Sequence, residues 1–309
     1  MNAESWWRRR AGCARELMTG CFRHGMGRMV GTEPRLSAAL NDVLARPGNL
    51  VRAVAAYLVG IEMGMVEEGA RALACGIEYL HTASLIFDDL PAMDDARTRR
   101  GAPCLHVSHG EGVAMLAALA LVNRGYGMLW SGIRRASPSR REAAGEWVDA
   151  KLGTSGLISG QAYDLSGWRG GRSAAEVAEV AARKTGDLLR LTLVLPAIAG
   201  HGTAREIQLL DRLALLRGVA YQAADDLKDV LQSDDESGKT AGRDEVMGRP
   251  NLALAEGVPA VLRRLRRLND AADHVQSKLT GFDGRWGMLN LLRVAAPKVT
   301  SVEASAIAV

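Results

Sequence analysis

An all-α fold is predicted by three features of this 309-residue chain. The helix-favouring residues Ala, Leu, Met, Arg and Glu dominate, while aromatics make up only 5%. Val, Ile and Thr nowhere alternate with polar residues over a strand-length window, so no period-two pattern competes with the helical one. Three S/T-x-x-E capping boxes then mark helix starts. No Pro/Ser-rich linker or shift in composition divides the chain, so 1–309 reads as one domain. Residues 1–35 form an atypical N-terminal extension containing Trp6-Trp7-Arg8-Arg9-Arg10.

Taken in order, the elements have local causes. The helix that carries Glu78 to Asp89 must stop before Pro91, because proline disfavours helical geometry at Leu90. The loop after it has to curl back to present Asp94. Ser139-Arg-Arg-Glu142, Ser173-Ala-Ala-Glu176 and Thr203-Ala-Arg-Glu206 are the capping boxes, and 167–172 and 233–242 are polar, glycine-bearing loops. Asp225 and Asp229 stand at i and i+4 with Asp226 between, which predicts one acidic patch on one helix face. In the run Arg263-Arg264-Leu265-Arg266-Arg267 the arginines are expected on the wet side, with Val261, Leu262 and Leu265 inward. Trp130 and Trp147 read as core packing.

Composition excludes several function classes. The net charge is +4 and the pI about 9.0, but basic residues are scattered among acidic ones without stacking aromatics, so nucleic acid is not the expected partner. The charge-free apolar stretches 113–123 and 191–204 are shorter than a bilayer needs, so no membrane span is expected. The start lacks the apolar core of a secretory signal. Cys13, Cys21, Cys75 and Cys104 have no metal-type spacing, which points to free thiols and a cytoplasmic protein.

The chemistry lies in two acidic clusters, Asp88-Asp89-Leu-Pro-Ala-Met-Asp94-Asp95 and Asp225-Asp226-Leu-Lys-Asp229. Carboxylates this concentrated repel one another and lose hydration in an apolar helical protein, so cations must neutralise them. Oxygen ligands with no His or Cys among them suit magnesium, which completes its octahedron with water and substrate phosphate. A phosphorylated ligand is therefore expected.

The stretch 81–106, containing DDLPAMDDARTRRG, resembles the first aspartate-rich region of trans-isoprenyl diphosphate synthases, and YQAADDLKDV followed by GKTAGRD resembles the second. Gly160-Gln161-Ala-Tyr-Asp164-Leu165 and Lys184-Thr185-Gly186 are similar to the family's GQ-x-x-DL and KTG motifs. The likeness spans about 48–257, and the segment after Gly101 is most similar to bacterial geranylgeranyl diphosphate synthases. It implies a class I prenyltransferase bundle around a deep central cavity, usually as a homodimer. The implied reaction is head-to-tail condensation of isopentenyl diphosphate with an allylic diphosphate: farnesyl, geranyl or dimethylallyl.

The resemblance also implies roles. Asp88, Asp94 and Asp225 would hold magnesium directly, with Asp89, Asp226 and Asp229 in support. Arg99, Lys184, Lys239 and Arg249 would neutralise the leaving diphosphate, and Thr185 and Gln222 would lie near the carbocation. Isopentenyl diphosphate would meet Arg52, His81 and Arg100. The prenyl tail would run down the helix of Asp88 past Ala83 and Ser84, whose small side chains leave room for a twenty-carbon product.

One departure cuts across this pattern. The family's GGKRxRP motif corresponds to 47–53 here, with Asn49 for the lysine, Leu50 for the adjacent arginine and Ala53 for the proline. Weaker isopentenyl diphosphate binding follows. A terpene synthase-like lyase that ionises one allylic diphosphate is the alternative, and a non-catalytic partner subunit a third, disfavoured because both aspartate clusters are complete.

Overall fold

The computed structural model describes residues 3–166, 173–231, 248–279 and 286–295. The two predicted loops, and Lys239 within the second, lie outside these residues. In order come α1 (Ala3–His24), α2 (Pro34–Ala45), α3 (Val51–Glu62), α4 (Glu67–Asp88), α5 (Leu105–His109), α6 (Glu111–Ile133), α7 (Pro138–Leu152), α8 (Leu157–Leu165) and α9 (Ala174–Ala181). A π-turn (Ala182–Gly186) leads into α10 (Asp187–Ala199), followed by α11 (Ala204–Leu231), α12 (Leu252–Glu256), α13 (Val258–Ser277) and a 3₁₀ turn (Gly287–Leu292). The sequence shows no strand, yet Thr98–Arg99 (β1) pairs antiparallel with Ala102–Pro103 (β2). Each strand is two residues long, too short for any alternation to register.

The core centres on α4 packed lengthwise against α6, with α3 and α10 beside them. Glycines explain how closely α4 and α6 approach. A Cβ on Gly76 would lie 2.8 Å from the Gly125 carbonyl, and one on Gly132 would lie 2.8 Å from that of Gly69. Each pair is one heptad from the next, so the two backbones touch along an antiparallel seam. Interior helical glycine costs about 0.5–1 kcal/mol relative to alanine, which the close packing offsets.

By length and composition alone α6 is apolar enough to cross a bilayer. The charge-free run within it ends at 123 because Arg124 follows, and in the fold Arg124 donates to the Gly25 carbonyl at 2.7 Å. Trp130 is not core: it is exposed, on the face of α6 turned from α4, whereas Trp147 packs against the interior.

The N-terminal extension is part of the body. Ala11, Ala14, Met18 and Phe22 recur at helical spacing and are buried, and the Phe22 ring meets Tyr79 of α4 edge-on at 5.1 Å. A second, smaller core joins α9, α11, α12 and α13, with Val261 and Leu265 buried and Arg263, Arg266 and Arg267 exposed, as their spacing requires.

Two capping boxes form, at Ser173–Glu176 and Thr203–Glu206. The third does not. Pro138 at the first helical position fixes φ and starts α7 one residue before Ser139, so Ser137 is the cap residue and Ser139 lies in the first turn.

Candidate active site

Pro91 ends α4 as expected, with Asp88 its last residue and Asp89 its cap. The loop then folds back on the helix end: the Asp94 N–H donates to the Asp88 carbonyl at 2.8 Å, and those of Met93 and Asp95 reach Leu90 at 2.8 and 3.0 Å. These bonds bring Asp94 to the side of Asp88. The chain continues into the β1–β2 hairpin, whose two turn residues Arg100 and Gly101 both have positive φ, 55° and 74°. That is the positive-φ pattern of a type I′ turn, which matches strand twist, and it puts Arg99 at the end of β1 and Arg100 in the bend itself.

A cavity of about 670 Å³ opens between α3, α4, α8, the π-turn and α11, within the usual size for a small-molecule site. Asp88 and Asp94 reach it from one wall and Asp225 from the other. The remaining aspartates of the clusters do not line it. Asp89 is buried behind the wall and takes a bidentate grip on Arg99, with Nε at 2.8 and 2.9 Å and Nη2 at 2.6 Å. On α11 the expected single patch separates. Asp226 is one residue and about 100° round the helix from Asp225, and is buried where it accepts from Gln222 Nε2 and the Leu252 N–H, each at 2.8 Å. Asp229 is buried as well.

The π-turn presents Lys184 and Thr185 to this cavity. Such turns interrupt α-helices frequently at functional sites, and here two glycines permit it. A Cβ on Gly160 would fall 2.5 Å from the Lys184 backbone nitrogen, and one on Gly218 would fall 2.6 Å from the Gly186 Cα. With α8 pressed this close, Gln161 Nε2 donates to Asp88 Oδ1 at 2.8 Å and Asp164 accepts from Lys184 Nζ at 2.7 Å. Thr185 donates to Gln222 Oε1 at 2.7 Å, so a chain runs from Thr185 through Gln222 and Asp226 to α12. Arg249 crosses between the walls, donating to the carbonyls of Met93 (2.7 Å) and Asp164 (3.2 Å), with Asp94 at 3.5 Å.

Electrostatics mark this end as a site for charge. Burial pushes Asp88 up to about 6, with Asp94 adding to the rise and Lys184 opposing it. Burial raises Asp94 too. Burial alone would lower Lys184, but Asp88, Asp164 and Asp94 outweigh it and hold the ammonium above its ordinary range. Among the described residues no three His, Cys, Asp or Glu side chains enclose a metal by themselves. Magnesium needs no such enclosure, since it takes one or two carboxylates and fills its shell with water and substrate phosphate. The all-oxygen donor set and the raised Asp88 fit such an ion.

The far side of the cavity is cationic without carboxylates at its surface. Arg52 Nη1 lies 3.1 Å from His81 Nε2, and its guanidinium stands 5.8 Å over the Tyr221 ring. Burial, then Arg52, Arg100 and Arg99, push His81 well below the ordinary imidazole range. A neutral ring that accepts at Nε2 carries its proton on Nδ1. Asn49 and Leu50 are absent from the lining, and Leu50 is buried.

Of the two residues expected to set product length, Ser84 lines the cavity. Ala83, the next position round α4, is fully buried in the core. Phe87 also lines it and escapes sequence reasoning, as do the roles of Gln161, Asp164 and Tyr221. The Gly160-Gln161-x-x-Asp164 run was the available signal for the middle two.

The polyprenyl synthetase family profile matches residues 33–276. The chain is 35% identical over 248 residues to a chloroplastic geranylgeranyl pyrophosphate synthase of Capsicum annuum, an alignment covering 80% of this chain and 66% of that protein. It is 33% identical to a geranylgeranyl diphosphate synthase of Pantoea ananas, covering 80% and 81%. The fold matches a Helicobacter pylori geranyltransferase crystallised with magnesium and isoprenyl diphosphate, with TM-score 0.80, 23% identity and coverage of 94% and 96%.

Proposed function

Because this chain belongs to the polyprenyl synthetase family, we propose that it condenses isopentenyl diphosphate head-to-tail with an allylic diphosphate, giving geranylgeranyl diphosphate. The observation that carries this reading is one cavity lined by two groups of cations: Lys184, Arg99 and Arg249, each paired with an aspartate, and Arg52 and Arg100 beside His81, about two helical turns along α4 from Asp88. One diphosphate needs only the first group. Two need both.

Magnesium held at Asp88, Asp94 and Asp225 supplies positive charge to the leaving diphosphate when bound. The chain's own residues do the rest. Lys184 and Arg99 orient the allylic diphosphate through charge-assisted hydrogen bonds, favouring cleavage of its C–O bond. Thr185 and Gln222, bonded to each other and held by Asp226, would lie near the carbon that becomes positive, as the resemblance implies. Arg52 and Arg100 hold isopentenyl diphosphate so that its alkene forms the new C–C bond, and the proton lost to restore the double bond passes to the released diphosphate. Neutral His81 accepts from Arg52 and keeps it aimed into the cavity. Ser84 leaves the tail room beyond fifteen carbons.

A homodimer is the assembly this reading favours. Met115, Leu116, Leu119, Tyr126 and Trp130 recur at helical spacing on the exposed face of α6, an apolar stripe of the kind that a second copy would cover. Incubating the protein and magnesium with farnesyl diphosphate, with and without isopentenyl diphosphate, tests the reaction. A twenty-carbon diphosphate formed only with both substrates is expected. A hydrocarbon or alcohol from farnesyl diphosphate alone would make it a lyase.

A further inference from the structure

α1 precedes the region matched by the family profile, yet it reaches the turn that leads into Arg52. Arg15 donates from Nη2 at 2.7 Å and Nε at 3.2 Å to the carbonyl of Asn49. That carbonyl belongs to an unusual turn. Leu50, the cap of α3, is left-handed at φ 53° and offers no side-chain cap to the helix. A non-glycine residue in that region persists only when its surroundings over-determine it. Asn49 Oδ1 accepts a long bond of 3.4 Å from the Val51 N–H. From below, the buried Glu78 carboxylate of α4 accepts from the Ala53 N–H at 3.1 Å, a donor that a proline at this position would lack.

The turn also seats a guanidinium. Gly48 lies so close to Arg100 that a Cβ there would be 2.0 Å from Nη1, and Arg100 is itself left-handed at φ 55°. Arg52, two residues beyond Leu50, bonds His81 in the cavity. Two backbone positions that ordinary residues avoid are therefore tied to these two arginines, Leu50 two residues before Arg52 and Arg100 itself, and one clamp holds the turn at 48–53. Arg15 grips its entry and Glu78 its exit.

We propose that Arg15 is a positioning residue for the second diphosphate site: by fixing the Asn49 carbonyl it sets Leu50, and through it Arg52 and the seat of Arg100. A turn without its own lysine and arginine keeps its shape through a cation brought from α1. This rests on the condensation reading above.

The test is steady-state kinetics on the full chain with farnesyl and isopentenyl diphosphates. Arg15→Ala is expected to raise KM for isopentenyl diphosphate about five-fold, as loss of an exposed charged hydrogen bond would, leaving kcat, KM for the allylic substrate and Tm in place. Arg15→Lys, able to give one of the two bonds, recovers part of the loss. Glu78→Gln, which keeps an acceptor for Ala53, shifts the same KM and not the allylic one. An unchanged isopentenyl diphosphate KM in Arg15→Ala, or equal rises in both KM values, overturns the positioning role while the wild type still elongates. A wild type that does not elongate overturns the condensation reading and this inference together.

Discussion

The two aspartate clusters are alike in composition and unlike in construction. The first lies past a helix end, where backbone hydrogen bonds from Met93, Asp94 and Asp95 fold a loop until Asp88 and Asp94 face the cavity together. The second lies inside α11, where the helix dictates direction and only Asp225 reaches the cavity. Each cluster nonetheless splits its adjacent pair the same way. One aspartate faces the cavity; its neighbour turns inward and holds a functional side chain, Arg99 in one case and Gln222 in the other. Adjacent carboxylates therefore need not share a job: one can carry charge to a ligand while the next orients a partner.

The largest effect separates outward from inward aspartates. Asp88→Ala and Asp225→Ala are each expected to lower kcat about 1,000-fold by removing charge compensation for the leaving group, with no loss of Tm. A fall in Tm at Asp225 as large as at Asp226 would break the comparison.

Stability sharpens it next. Asp88 has a folded pKa of about 6 against 3.8 for the free group, so between those values the native state holds a proton that the unfolded chain releases. Stability therefore falls as pH rises through that window, by about 3 kcal/mol once both states are ionised. Asp88→Asn removes this penalty and should raise the metal-free Tm at pH 7 while activity collapses. The Tm gain on adding magnesium to the wild type should grow from pH 5 to pH 7, as calorimetry would read.

The inward pair of the first cluster comes third. Asp89→Ala and Arg99→Ala should each cost about 100-fold in kcat, and the double variant no more than the worse single, since residues acting as a unit are non-additive. Multiplicative losses would show that Asp89 acts on its own. Asp226→Ala strands the Leu252 N–H and frees Gln222, costing about 2 kcal/mol in chemical denaturation. A smaller effect lies at the turn before Arg52: Asn49→Lys, whose longer side chain can extend toward the cavity, should lower KM for isopentenyl diphosphate about ten-fold by restoring one charge-assisted contact.

Much of the first cluster was legible in sequence because Pro91 constrains the backbone locally and the helix must end where it does. The second was misread in one respect: i, i+4 spacing places Asp225 and Asp229 on one face but does not say which face meets the cavity, and α12 decides that by burying Asp226. The same limit explains Ala83 and Ser84, adjacent in sequence and one helical step apart in space. The hairpin escaped notice because two positive-φ residues, one an arginine, make a turn without any strand-length pattern around it.

The sequence by itself determined the helical class, the end of α4, two of three capping boxes and the chemistry of the acidic clusters, since each follows from residue type over a few neighbouring positions. Only the tertiary structure decided which aspartates share a cavity, that glycines 69, 76, 125 and 132 form a seam, that Gly160 and Gly218 admit a π-turn between them, and that α1 reaches the Asn49 turn. Those are contacts between segments distant along the chain, and their energies depend on how backbones approach one another, which no local run of residues encodes.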